Sequence, residues 1–354
     1  MYINMKKRTL LLVICSGLLS IGVVFAGQSG WTLPQRFLPP PEGASAPLQK
    51  AIASLPAPDV AMVHQLVPAN EKEWRKLIDS TREQSIRKAR ELARNLSVKV
   101  EQRVLAGVPV FSVTPSRVMP QHKNHLFLHL HGGAYVFNGS EAATYEAALI
   151  ADRIGIPVLS VDYRMPPDHP FPAALDDAVA VYRELLKQYP AGSLAIGGTS
   201  AGGGLALATL LRLKELDLPL PAALFGGTPW SDLTLTGDSY HLNEGADHVL
   251  VTGEGLLASA ARLYAGDRDL AEPLLSPVHG DYSGFPPAIL VSGTRDLFLS
   301  NTVRVYQKLR AAGVPARLEV FEGFSHGDYL SMYQTPESRQ MFKALSEFLN
   351  SHLP

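Results

Sequence analysis

From about residue 97 to the C-terminus, short apolar runs alternate with segments of helical periodicity, and no other feature of the 354 residues constrains the fold as strongly. VKVEQRV and PVFSV read as an opening hairpin. HLFLHL, VLSVDY, SLAIGG, ALFGG, AILVSG and ARLEVF read as further strands, with helices expected at about 141–155, 173–188, from Ala201, 301–312 and 336–350. Nearly continuous apolar strands separated by helices belong to a mostly parallel sheet of about eight strands, covered on both faces. The expected class is α/β. Residues 232–270 break the alternation and read as helical insertions. In such sheets ligands bind beyond the C-terminal ends of the strands, so reactive residues are sought there.

The N-terminal third has a different character. Lys6, Lys7 and Arg8 precede an apolar stretch from Leu10 to Phe25, and Val24-Phe25-Ala26 offers small residues for cleavage. This predicts a signal peptide over 1–26, cut after Ala26, and an exported protein, periplasmic or extracellular. The competing reading is a retained anchor, but the run falls short of the roughly 20 residues that span a bilayer, so no stable membrane span is expected after cleavage. Cys15, the single cysteine, lies in this segment, so the mature chain would use neither disulfides nor thiolate chemistry. Residues 27–48, rich in Pro, Gly and Ser, read as a flexible linker. Val63, Leu66, Trp74, Leu77 and Ile78 recur at helical spacing, which predicts one or two amphipathic helices over 59–96. The net charge of −1 supplies no basic field for nucleic acid.

The strand SLAIGG runs into Gly198-Thr199-Ser200-Ala201-Gly202, a G-x-S-x-G pattern between strand and helix. Small flanking residues let the serine sit on a sharp turn with its hydroxyl above the sheet. GGTSAGGG has neither the Lys-Ser/Thr pair of a phosphate loop nor G-x-G-x-x-G spacing. A serine hydroxyl needs a base. His122, His125 and His129 flank or face a strand, and His64, His241, His248, His279 and His352 lie in loops or helices away from strand ends. His326 lies in the turn Glu322-Gly323-Phe324-Ser325-His326-Gly327 just past ARLEVF, and comes late in the chain. For the acid, Asp296 follows AILVSGTR and precedes His326, matching the order serine, acid, histidine. Asp328 is too local to His326, whereas Asp232 is geometrically open because neighbouring strand ends lie about 5 Å apart. His131-Gly132-Gly133-Ala134-Tyr135 follows HLFLHL, and its glycine amides, with that of Ala201, are candidate donors to an oxyanion. Neither H-E-x-x-H nor a clustered ligand set is present, so no metal or organic cofactor is implied.

The segments HGGAY, VDYRMPPDHPFPAALDD, GGTSAGGG, TPWSDLT, LLSPVHGDYSGFPPAILVSGTRD and GFSHGD, in this order from about residue 125 to 330, resemble the hormone-sensitive-lipase-like bacterial esterases of the α/β-hydrolase superfamily. The resemblance implies a serine hydrolase of small-molecule esters or lactones with a Ser200, Asp296, His326 triad. It also implies oxyanion donors at Gly132, Gly133 and Ala201, with His131 bracing the loop. Helices within 49–96, with part of 232–270, would cap a catalytic domain over 97–354. Tyr135 and Trp230 are expected to line the substrate pocket, and acyl chains of short to medium length are expected to be preferred. The sequence departs from the family at Ala134, where a third glycine is usual, and at Thr199, where an acid often precedes the serine. An amidase with the same triad and a non-catalytic small-molecule binder are the alternatives, the intact triad arguing against the second. A homodimer is compatible with the sequence but not required by it.

Overall fold

A computed structural model describes residues 37–354. The predicted leader, 1–26, and the first part of the expected linker lie outside the described residues. Eight strands form one sheet: β1 Lys99–Leu105, β2 Val108–Thr114, β3 Leu126–Leu130, β4 Val158–Val161, β5 Leu194–Thr199, β6 Ala223–Gly227, β7 Ala288–Gly293 and β8 Ala316–Phe321. Their spatial order is β1-β2-β4-β3-β5-β6-β7-β8. The β1–β2 and β2–β4 pairs are antiparallel and all others parallel. This is the mostly parallel α/β sheet that the alternation demanded.

Each central strand is buried on both sides, yet its side chains still alternate. Leu126, Leu128 and Leu130 of β3 pack with α5 (Ala173–Leu185), α6 (Ala201–Glu215) and α9 (Leu299–Ala311). Phe127 points the other way, to α4 (Thr144–Ile154) and α11 (Pro336–His352). In β7, Leu290 faces the first layer and Ile289 and Val291 the second. The sheet therefore holds two hydrophobic layers.

Three helices precede the sheet: α1 Ala46–Ala53, α2 Val60–Gln65 and α3 Glu71–Asn95. The first corrects the reading of 27–48 as linker, because helix begins at residue 46. Ser45 caps it, accepting from the amide of Leu48, and Ser45 is itself held by Glu337 of α11 through its amide (2.6 Å) and hydroxyl (2.9 Å). In α3, Asn70 accepts from the amide of Glu73 while the Glu73 carboxylate accepts from that of Ala69, a reciprocal cap. Trp74, Ala89, Leu92 and Ala93 are the buried residues of α3. The stretch 232–270 carries α7 (Ser239–Leu242) and α8 (Leu256–Ala265), and the short α10 (Asp328–Ser331) follows the last strand. Among the described residues, no helix is long and apolar enough to cross a membrane.

Candidate active site

Ser200 occupies the single-residue turn between β5 and α6, at φ 61° and ψ −125°, a backbone region that side chains rarely enter. The turn is tight enough to exclude side chains two residues to either side. A Cβ on Gly198 or on Gly202 would fall 1.9 Å from the carbonyl oxygen of Leu130. The serine backbone is pinned from both sides. Its amide donates to Gly227 O (2.8 Å), and its carbonyl accepts from the amides of Gly204 (3.0 Å) and Trp230 (2.9 Å). The side chain faces a cavity of about 630 Å³.

Because β7 and β8 are parallel neighbours, the loops after them emerge side by side. They carry Asp296 and His326, whose Nδ1 lies 3.1 Å from Asp296 Oδ1 and 2.8 Å from Thr228 Oγ1. Asp296 is wholly buried and also accepts from the Phe298 amide (2.8 Å) and the Ser292 hydroxyl (2.7 Å). Burial opposes charge on both groups, but their mutual attraction outweighs it: His326 is raised and Asp296 lowered from their ordinary values. His326 Nε2 is buried and makes no hydrogen bond among the described residues. It lines the same cavity as Ser200.

The two rival acids have other partners. Asp232 pairs with Arg304 and accepts from the amide and hydroxyl of Thr234. Asp328 accepts from the Ser325 amide (2.7 Å) and lies 3.2 Å from His248 Nε2, and burial pushes it up to about 7. Neither makes a hydrogen bond to the His326 ring.

The loop after β3 lies against the serine turn. A Cβ on Gly132 would be 2.8 Å from Thr199 O and 3.3 Å from Ser200 Cβ. Among the described residues, the amides of Gly132 and Gly133 donate to no protein group. The amide of Ala201, first residue of α6, is one of the unpaired donors at a helix start. Three N–H groups therefore border the serine with no protein acceptor. His131 stacks on Tyr163 at 4.1 Å, its Nδ1 lies 2.8 Å from Gly132 O, and Tyr163 donates to His131 O at 2.6 Å. Burial depresses His131 to about 3, so the ring is neutral.

Two pocket assignments need correction. Tyr135 stacks face to face on Tyr264 at 3.8 Å, and Trp230 stacks on Phe298 at 5.7 Å. Both are fully buried, and neither lines the cavity. Its wall comes instead from Val63 and Leu66 around α2, Phe137, Tyr145, Val249 and Leu250 before α8, Leu256 and Leu257 within it, and Leu330. The N-terminal helices and the 232–270 segment thus both contribute wall.

A buried carboxylate unforeseen in the sequence lies beneath the serine. Glu146 of α4 accepts from the Thr199 amide (3.2 Å) and hydroxyl (2.5 Å), and lies 3.0 Å from His129 Nε2. The Tyr329 hydroxyl is 2.6 Å from Thr199 Oγ1. An acid absent from the position before the serine is therefore supplied there from another helix. The available signal was a lone acid on the apolar face of TYEAALIADRI. Among the described residues, no cluster of His, Cys, Asp or Glu could hold a metal ion.

A family model described as the alpha/beta hydrolase fold matches residues 127–330, which span Ser200, Asp296, His326, the loop at 131–133 and Glu146. The chain belongs to the α/β-hydrolase family. It is an esterase, similar to those of the hormone-sensitive lipase group. The solved structure of an esterase E25 superimposes with a TM-score of 0.91 at 49% identity, covering 92% of this chain and 100% of that one. A hormone-sensitive lipase from a metagenome library gives a TM-score of 0.73 at 29% identity, covering 78% and 92%. An acetyl-hydrolase of Streptomyces hygroscopicus is 33% identical over 83% of this esterase and 97% of its own length. An esterase of Acinetobacter venetianus is 32% identical over 73% and 84%.

Proposed function

We propose that this esterase cleaves short- to medium-chain carboxylic esters, lactones included, through an acyl-enzyme on Ser200. The observation that carries the mechanism is His326, paired with the buried Asp296, opening onto the cavity where Ser200 sits beside three unpaired amides. His326 Nε2 takes the Ser200 proton as the hydroxyl attacks the ester carbonyl. The oxyanion forms against the amides of Gly132, Gly133 and Ala201. Asp296 holds the imidazole and stabilises its charge, and the proton passes to the departing alcohol. Water, activated by the same histidine, then releases the acid.

The chain-length preference rests on the cavity, whose volume is in the range of small-ligand sites and whose wall is mainly apolar. Two relatives point the same way: one is named an acetyl-hydrolase, and a similar structure was soaked with p-nitrophenyl butyrate. A p-nitrophenyl ester series from acetate to palmitate, with Ser200→Ala as control, is the test. A maximum at palmitate overturns the preference, and undiminished turnover by Ser200→Ala overturns the mechanism. We also propose that the leader 1–26 directs export; N-terminal sequencing of the secreted protein should begin at Gly27.

A further inference from the structure

The acid and the base arrive on separate loops, and a carboxylate outside the triad touches both. Asp247 lies between α7 and α8 and is fully buried. Its Oδ1 accepts from the amides of Val249 (2.9 Å), Leu250 (3.1 Å) and His326 (3.5 Å), and its Oδ2 from the amide of Leu297 (2.9 Å). The bonds to Val249 and Leu250 alone would be a local turn. The other two reach different elements: the base itself, and the residue after the acid. Val249 and Leu250 also form part of the cavity wall.

The surrounding segment repeats the pattern. Asn243 Nδ2 donates to the carbonyls of Asp296 (2.8 Å) and Thr294 (3.3 Å). The amide of His248 donates to Ser325 Oγ (3.2 Å), and its ring faces Asp328. Residues 243–250 therefore clasp the acid loop and the base loop from one side.

The chemistry of Asp247 is specific to a carboxylate. Four N–H donors converge on it, and an ionised carboxyl presents only acceptors. An asparagine must turn its NH₂ toward either Leu297 or the other three donors, leaving like groups opposed. Retaining the charge has a cost, because burial and the nearby Asp296 push Asp247 above the ordinary carboxylate range.

We propose that Asp247 is a positioning residue, which registers the base His326, the acid loop at Leu297 and the cavity wall at Val249–Leu250 to one another. The proposal rests on the triad reading given above. An acyl group seated against that wall then bears on the same carboxylate that places the base. Asp247 also faces His326 as a charge, together with Asp296 from the acid loop and Asp328 from α10, while His248 faces Asp328.

The test is Asp247→Asn in the full enzyme, assayed on p-nitrophenyl butyrate across pH with Ser200→Ala alongside. The clasp requires kcat to fall by about tenfold to a hundredfold through misplacement of the base, with KM changing less. Loss of a negative charge beside His326 should also move the acid limb of the pH profile to lower pH. Asp247→Glu, which keeps the charge but not the length, should lose kcat while leaving that limb near its original position. Wild-type kcat and an unmoved limb in folded Asp247→Asn overturn the proposal. If that variant does not fold, Asn243→Ala decides: a several-fold loss of kcat supports the clasp and wild-type kcat overturns it. An active Ser200→Ala would instead sink the triad reading, so the two failures are distinguishable.

Discussion

Replacing Asp296 by asparagine removes one charge and almost no volume, so it isolates the electrostatic work proposed for the triad. Asp296 Oδ1 accepts from His326 Nδ1 and the Phe298 amide, and Oδ2 from the Ser292 hydroxyl. The asparagine oxygen can keep the first two bonds, and the Ser292 hydroxyl can reverse to accept from the new NH₂. Folding then loses only the extra strength of charge-assisted bonds, about 1–2 kcal/mol. Reaction loses more. When His326 holds the serine proton, the carboxylate 3.1 Å from Nδ1 stabilises it by about 5 kcal/mol at an effective dielectric near 20. That corresponds to a fall in kcat of about 10³- to 10⁴-fold, nearer the lower end because Asp247 and Asp328 still face the ring. The assay is steady-state hydrolysis of p-nitrophenyl butyrate above the His326 titration range. Thermal unfolding and fluorophosphonate labelling of Ser200 are followed in parallel. A folded Asp296→Asn enzyme keeping more than about a tenth of kcat would refute the assignment of that charge to the imidazolium.

Three other outcomes are expected. A general base works only when neutral, and His326 is raised above 6.5, so kcat/KM should climb with pH through a limb above that value; a limb at or below about 6 contradicts the ion pair. Gly202→Ala drives a methyl into the Leu130 carbonyl, and calorimetry should show destabilisation by about 3 kcal/mol or more; an unchanged midpoint would mean that the turn can relax. Leu257→Trp places bulk on the cavity wall and should shift the optimum of the ester series toward shorter chains, with acetate hydrolysis little changed; an unaltered profile would place the acyl group elsewhere.

What could be read from the sequence was whatever strand ends dictate. Ser200 announces itself through the glycines that its turn requires. Asp296 and His326 lie 30 positions apart, yet they meet because adjacent parallel strands deliver their loops to one edge. The unreadable features depend on packing between distant segments. Tyr135 sits in a loop motif beside the site, but its ring is claimed by Tyr264 of α8. Trp230 follows a strand end as a pocket residue should, and Phe298 covers it. Asp247 looks like an ordinary loop acid until its four donors converge from three places. Helix α1 was hidden by the prolines around it, and its anchor is Glu337, far along the chain.

Helix α2 supplies Val63 to the cavity wall, with Leu66 just past its end, yet none of its residues is buried. The proposed reacting groups, by contrast, stand beyond strand ends within a core that rejects even one added methyl at Gly202. Heritable variation is thereby partitioned. Substitutions in α2 can retune which esters fit while leaving the folded state nearly as stable, so selection can explore diets of substrate without crossing a valley of unfolded intermediates. Descendants of this enzyme would diverge in what they cleave long before they diverge in how they cleave it.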